Sequence, residues 1–163
     1  MNLQEPMEAL VPNSEIMTIE KAIELSKAAG VMPFVETTWT PVVRGSTTAG
    51  TIALGLVRGL CISIGQYTFI HVHVTINSIS GSPTGSLQIR GCPLSPVYET
   101  PLTLGITSYT GVDLNQRYLM PIIHANGYIE ILSCGSGPEE AVPVSVLAPY
   151  ATIQLAGSFI ATV

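Results

Sequence analysis

Two of the three histidines lie one residue apart in the stretch FIHVHVTI, at His71 and His73. On a β-strand alternate side chains point to the same face, so both imidazoles would share one side. Zinc sites use histidine ligands that converge on one ion, and His-x-His on a strand presents two of them. The remaining histidine is His124, in PIIHANG. Together the three histidines form a candidate His₃ zinc site.

The rest of the strand favours another interpretation. Its alternate positions form an apolar face that must turn towards a core: Thr68, Ile70, Val72, Val74 and Ile76. His71 and His73 are then on the outward face, where a catalytic pocket is harder to build. Metal-bound histidines also need orienting carboxylates, and acidic residues are sparse. We therefore predict a protein that is not an enzyme, with no catalytic residues, metal or other cofactor, and His71 and His73 near a subunit contact.

Other motifs for catalysis or cofactors are incomplete. The segment GSTTAGT, residues 45–51, has the glycine spacing of a phosphate loop but lacks the lysine that reaches the phosphates. No G-x-S-x-G nucleophile motif occurs. The number of cysteines is odd, at Cys61, Cys92 and Cys134, and no C-x-x-C pair occurs. This pattern predicts free thiols in a reducing compartment.

The composition indicates a protein that associates with others. The 163 residues are 47% hydrophobic and 10% charged, with a net charge of −5, whereas a typical soluble domain is about 25% charged. Apolar runs are too short for a membrane span, and no secretory signal is evident. Without a basic stripe, nucleic acid is an unsuitable partner. Oligomerisation would explain the low charge content, because permanent interfaces are more apolar and poorer in charge than free surface.

The chain divides into two parts that differ in composition and in residue pattern. Residues 1–36 hold six of the eleven acids and both lysines, and they predict an extended arm followed by a short helix that begins near Thr18 and ends near Gly30. Residues 37–163 form the second domain. We expect apolar residues of the first part to dock on a partner protein: Leu10, Val11, Ile16, Met17, Ile19 and Ile23.

From residue 37 onward, short β-branched runs alternate with Gly, Pro, Ser and Asn turns. This alternation predicts an all-β sandwich or barrel. One run covers residues 61–76. We predict a hairpin over residues 67–93, with SGSPTG as its turn.

The same region resembles the β-sandwich domain that closes many bacteriophage tail-fibre, head-fibre and capsid decoration proteins. A W-T-P opening, turn glycines and a closing Gly157-Ser158-Phe159 strand carry the resemblance, over residues 39–163. The residues that occupy the positions defining the fold in this family are Trp39, Pro41, Gly65, Gly91, Pro93, Gly157 and Phe159.

The resemblance implies an all-β, jelly-roll-like antiparallel sandwich. It also implies a homotrimeric virion protein, assembled in the host cytoplasm, without catalytic residues. Two roles remain open. A capsid decoration (cement) protein would stabilise the shell by binding the major capsid protein through the arm and base. A tail or head fibre or spike would instead bind a host surface receptor. Because an arm of about 17 residues and one helix of about three turns are too short for a coiled-coil shaft of three or four heptads, the sequence favours the cement role, with zinc catalysis by His71, His73 and His124 as a minor alternative.

Overall fold

The computed structural model describes residues 34–109, 117–135 and 137–162. Eleven strands and one 3₁₀ helix follow in chain order: β1 Phe34–Trp39, β2 Val42–Gly45, β3 Thr51–Ile64, β4 Tyr67–Ser80, β5 Leu87–Arg90, β6 Thr100–Pro101, β7 Thr103–Tyr109, β8 Arg117–Ile123, β9 Ile129–Gly135, β10 Glu140–Ala141, the 3₁₀ helix Val144–Val146 and β11 Leu147–Ile160. The first strand thus starts at Phe34, three residues before the predicted domain boundary at residue 37.

The strands form two antiparallel sheets. One sheet has the order β1-β3-β4-β11-β7, and the other has the order β2-β5-β9-β8-β6, with β10 paired to β9. These pairings confirm an all-β antiparallel sandwich, while the jelly-roll arrangement stays a prediction. Among the described residues no helix is long and apolar enough to span a membrane. The predicted arm and helix lie outside the described residues.

Strand β4 shows how the core is specified. Thr68, Ile70, Val72, Val74 and Ile76 are all buried, as the alternation predicts. They pack in one cluster with buried residues of both sheets. The partners from β5, β9 and β11 include Leu87, Ile89, Ile129, Ile131, Ile153, Leu155 and Phe159. Because the side chains alternate with period two, this core face sends the intervening residues of β4 outward.

A two-residue turn joins β3 to β4. Ile64 pairs with Tyr67, so Gly65 and Gln66 alone make the connection. Gly65 has a φ of 61°, which a tight hairpin turn of type II′ requires at its first position and which glycine adopts without strain. The run over residues 61–76 is therefore interrupted by a hairpin turn.

The predicted hairpin over residues 67–93 is wrong. Strand β4 pairs with β3 and β11, whereas β5 belongs to the other sheet and pairs with β2 and β9. The SGSPTG segment turns the chain as expected, with positive φ at Gly81, Ser82 and Gly85. It carries the chain across the sandwich because the inner faces of β4 and β5 must meet each other in the core.

The opening segment TWTPVV also divides between the sheets. Strand β1 ends at Trp39 and β2 begins at Val42, on the opposite side of the sandwich. Pro41 lies at this crossing, where its missing N–H costs no ladder hydrogen bond. Of the other residues that the resemblance singles out, Trp39 is half-buried against the core and Phe159 is buried. Gly91 and Pro93 lie in the segment after β5, and Gly157 contacts Leu102.

Candidate interaction surface

The five-stranded sheet presents one face to the core and the opposite face outward. We call this second side the outer face. Residues directly opposite in antiparallel strands point to the same side, so the pairing defines rows that cross it. Three of these rows lie on the outer face: Phe34, Ile64, Tyr67 and Ile160; Glu36, Ile62, Phe69 and Ser158; Thr38, Leu60, His71, Ala156 and Thr103.

One end of the outer face is apolar. This apolar end consists of Phe34, Ile64, Tyr67, Phe69 and Ile160. Each of these residues is between 40% and 57% exposed. The Tyr67 and Phe69 rings meet edge to face with their centroids 5.4 Å apart, and the Tyr67 hydroxyl lies 3.3 Å from Ser158 Oγ. A contiguous exposed group of this kind is typical of a protein-binding surface, whereas single exposed apolar residues are ordinary.

The other end of the outer face is polar and nearly uncharged. His71 is exposed there and His73 is half-buried, which confirms that both point away from the core. Gln154 donates from Nε2 to His73 Nε2 at 3.2 Å. Glu36 and Arg58 are the formally charged residues among the positions that the pairing places on this face. Few charges and exposed aromatic rings are features of the centre of protein interfaces.

Two shallow recesses flank His71. One, of about 250 Å³, is bordered by Thr103, Gly105 and Gln154. The other, of about 430 Å³, lies beside Trp39 and is bordered by Glu36 and Arg58. Side chains of a second molecule that fill such recesses commonly supply most of the binding energy. The two recesses make the outer face a candidate surface for contact with another protein.

The three histidines are not brought together. His71 and His73 lie on β4 of the five-stranded sheet, whereas His124 follows β8 of the other sheet. In the described part of the chain, no group of three or more His, Cys, Asp or Glu residues could hold a metal ion. The His₃ arrangement is wrong because the fold places these residues in different sheets.

His124 instead belongs to a small polar cluster at the end of the six-stranded sheet. Its Nδ1 donates to Glu99 Oε1 at 2.6 Å, and its Nε2 is 3.6 Å from Glu130 Oε2. The imidazole stacks on Tyr128 with ring centroids 4.3 Å apart, and the Arg90 guanidinium lies 5.0 Å from the Tyr128 ring centroid. Burial raises the pKa of Tyr128, as do the carboxylates of Glu130 and Glu99, while Arg90 opposes the rise.

We expect this cluster to stabilise the fold. The substitution His124→Ala removes the stacking on Tyr128 and the hydrogen bond to Glu99, and should lower the free energy of unfolding by about 1–2 kcal/mol. Urea unfolding would measure this decrease in the free energy of unfolding. Glu139→Ala, which removes an exposed side chain from the loop before β10, is the control and should change the value by less than about 0.5 kcal/mol. Equal values for the two variants would contradict a stabilising cluster.

The predicted docking residues Leu10, Val11, Ile16, Met17, Ile19 and Ile23 lie outside the described residues. The apolar end of the outer face was missed by the sequence analysis, although the alternation in β4 already sends Tyr67 and Phe69 outward. The other members come from β1, β3 and β11, and only the strand order aligns them. The sequence therefore indicates that Tyr67 and Phe69 point outward, but it does not indicate which strands lie beside β4.

Comparison with known proteins gives a likeness in structure and none in sequence. No family model matches the chain, and no curated protein matches it. Its fold is similar to part of a tailspike. The crystal structure of Dettilon tailspike protein superposes with a TM-score of 0.65 at 18% sequence identity, over 79% of this chain and 24% of the tailspike chain. The match spans about a quarter of that protein and shows a shared fold.

Proposed function

We propose that the chain is a structural protein of a bacteriophage virion. The observation that carries the proposal is the likeness of its sandwich to part of a tailspike protein. The W-T-P opening and the Gly157-Ser158-Phe159 strand add support, because the resemblance of the sequence to phage virion domains rests on them. The low charge content agrees with a protein that functions within an assembly. The proposal includes a jelly-roll-like sandwich, location in the virion and no catalytic role.

Self-association is the second element of the proposal. Three copies would pack through their outer faces and cover the apolar end, with Phe69 and Tyr67 as the aromatic contacts. Burial of these residues would stabilise the complex, since each large apolar side chain contributes roughly 1.5–3 kcal/mol when fully removed from water. Sedimentation of the full chain should then give three times 17.2 kDa, about 52 kDa. A mass of 17.2 kDa at all concentrations would contradict self-association.

The likeness to a tailspike favours a fibre or spike role, in which exposed loops would bind a receptor on the host surface. The capsid decoration role depends on residues 1–36 and on docking to the major capsid protein. We therefore place the fibre or spike first and the cement role second, which reverses the order that the sequence favours.

Binding experiments distinguish these two roles. Labelled full-length chain is mixed separately with host bacteria and with empty phage shells that lack it. A fibre or spike should bind the bacteria in a saturable manner and leave the shells bare. Binding to shells that is lost when residues 1–30 are deleted, while the trimer persists, would favour the cement role. Binding to neither target would contradict both roles.

A further inference from the structure

Two thiols from opposite sheets approach each other in the sandwich. Cys61 is on β3 of the five-stranded sheet and is fully buried. Cys92 follows β5 of the other sheet and is half-buried. Their sulfur atoms are 4.0 Å apart, although 31 positions separate them along the chain. We propose that Cys61 and Cys92 are an oxidation site that forms a disulfide between the two sheets.

The geometry allows the bond with a small movement. A disulfide needs sulfur atoms about 2.05 Å apart, so the two must approach by roughly 2 Å. Cys61 is held within a regular strand, whereas Cys92 lies in the irregular segment between β5 and β6. The Cys92 thiol is also 3.2 Å from the carbonyl oxygen of Leu94 in this segment. We therefore expect Cys92 to make most of the movement.

The two thiols have different chemical roles. The Cys61 thiol lies within hydrogen-bonding distance of Cys92, which raises the pKa of Cys61 and lowers that of Cys92; burial raises the Cys61 pKa further. The thiolate is the attacking species in disulfide exchange, and access matters as well. Cys92 is the more accessible of the two and should react first, with Cys61 as the resolving thiol.

The reaction with glutathione disulfide is balanced. The Cys92 thiolate attacks one sulfur of the oxidant, which forms a mixed disulfide and releases one glutathione thiolate. The Cys61 thiol then loses its proton, and its sulfur attacks the Cys92 sulfur and displaces the second glutathione. Two protein thiols are oxidised, and one glutathione disulfide is reduced to two thiols. Such oxidants are met outside the reducing cytoplasm.

Closure of this loop should stabilise the fold. A disulfide restricts the unfolded chain, and more so for a longer loop. For a loop of this length in a chain of this size, the unfolding temperature should rise by about 10 °C. The inference does not depend on the proposed function, since it rests on the two sulfur positions alone.

Mass spectrometry of the full-length protein tests the site. After treatment with glutathione disulfide, the wild type and the Cys134→Ser variant should each lose about 2 Da, and digestion should give a Cys61–Cys92 linked peptide. Cys92→Ser should not lose this mass, and its unfolding temperature should not respond to the oxidant. Cys92→Ser is preferred to a Cys61 variant because Cys61 is fully buried.

Three results would overturn the proposal. Oxidation could stop at a glutathione adduct, the linked peptide could contain Cys134, or the wild type could remain fully reduced when excess oxidant is present. Iodoacetamide labelling tests the assigned roles separately. Cys92 should be alkylated first, and at a pH below that at which an ordinary thiol reacts; earlier labelling of Cys61 would contradict the assignment.

Discussion

The substitution Phe69→Glu should yield a folded chain that no longer self-associates. Phe69 is 47% exposed at the apolar end of the outer face. In the proposed trimer this ring is buried against a second copy, and a carboxylate there would have to lose its hydration. We expect the association to weaken by about 100-fold or more, the effect of losing a central contact residue. Sedimentation velocity over a range of concentrations measures this change.

The fold itself should be little affected by Phe69→Glu. The Phe69 side chain points away from the core, so the free energy of unfolding of the single chain should change by less than about 1 kcal/mol. Tyr118→Glu is the matched control, because Tyr118 is an aromatic residue on β8 of the other sheet and is 62% exposed. That variant should associate like the wild type. Equal sedimentation of the wild type and Phe69→Glu would exclude the apolar end as the interface.

The second large effect is expected for Gly59→Ala, which should destabilise the fold. Gly59 pairs with Trp39 between β3 and β1. An added Cβ would lie 2.6 Å from Trp39 Cε2 and 2.8 Å from the Trp39 carbonyl oxygen. Because the second of these atoms is backbone, strand β1 would have to move. Overpacking of this kind typically costs about 1–3 kcal/mol, and we expect the upper part of that range.

Gly105→Ala is the control for that experiment. Gly105 lies on β7 of the same sheet, and an added Cβ would meet only Gln154 Cβ, at 4.0 Å. Alanine there should be neutral or slightly stabilising, because it restricts the unfolded chain. Thermal unfolding should place Gly59→Ala roughly 5–10 °C below Gly105→Ala. Equal midpoints would show that Trp39 does not pack tightly on Gly59.

Local patterns in the sequence predict the faces of individual strands well. The alternation in β4 correctly assigns Ile70, Val72, Val74 and Ile76 to the core and His71 to the outside. This succeeds because a one-residue shift would expose every apolar side chain of the strand. The all-β class follows from many such strands and turns.

Connections between strands are harder to predict than their faces. SGSPTG contains the residues that turn a chain, but turn chemistry does not specify whether the next strand pairs with the previous one or joins the opposite sheet. Here β5 joins the opposite sheet. The choice depends on the fit of two inner faces, which is a tertiary property.

The residues of the candidate sites come together only in the folded chain. The chain separates His124 from Glu99 by 25 positions and Cys61 from Cys92 by 31. Neither contact can be predicted from the spacing of these residues in the sequence. The apolar end likewise collects residues from four strands. For this reason the sequence could indicate association through its low charge but could not locate the surface.

Immunogold electron microscopy of intact phage particles tests the central claim most directly. An antibody raised against the purified chain would be applied to virions, with particles that lack the chain as the control. The proposal predicts gold on the particle surface, at the tail for a fibre or spike and over the shell for a cement protein. Particles without label, together with abundant unassembled chain in the lysate, would contradict a virion role.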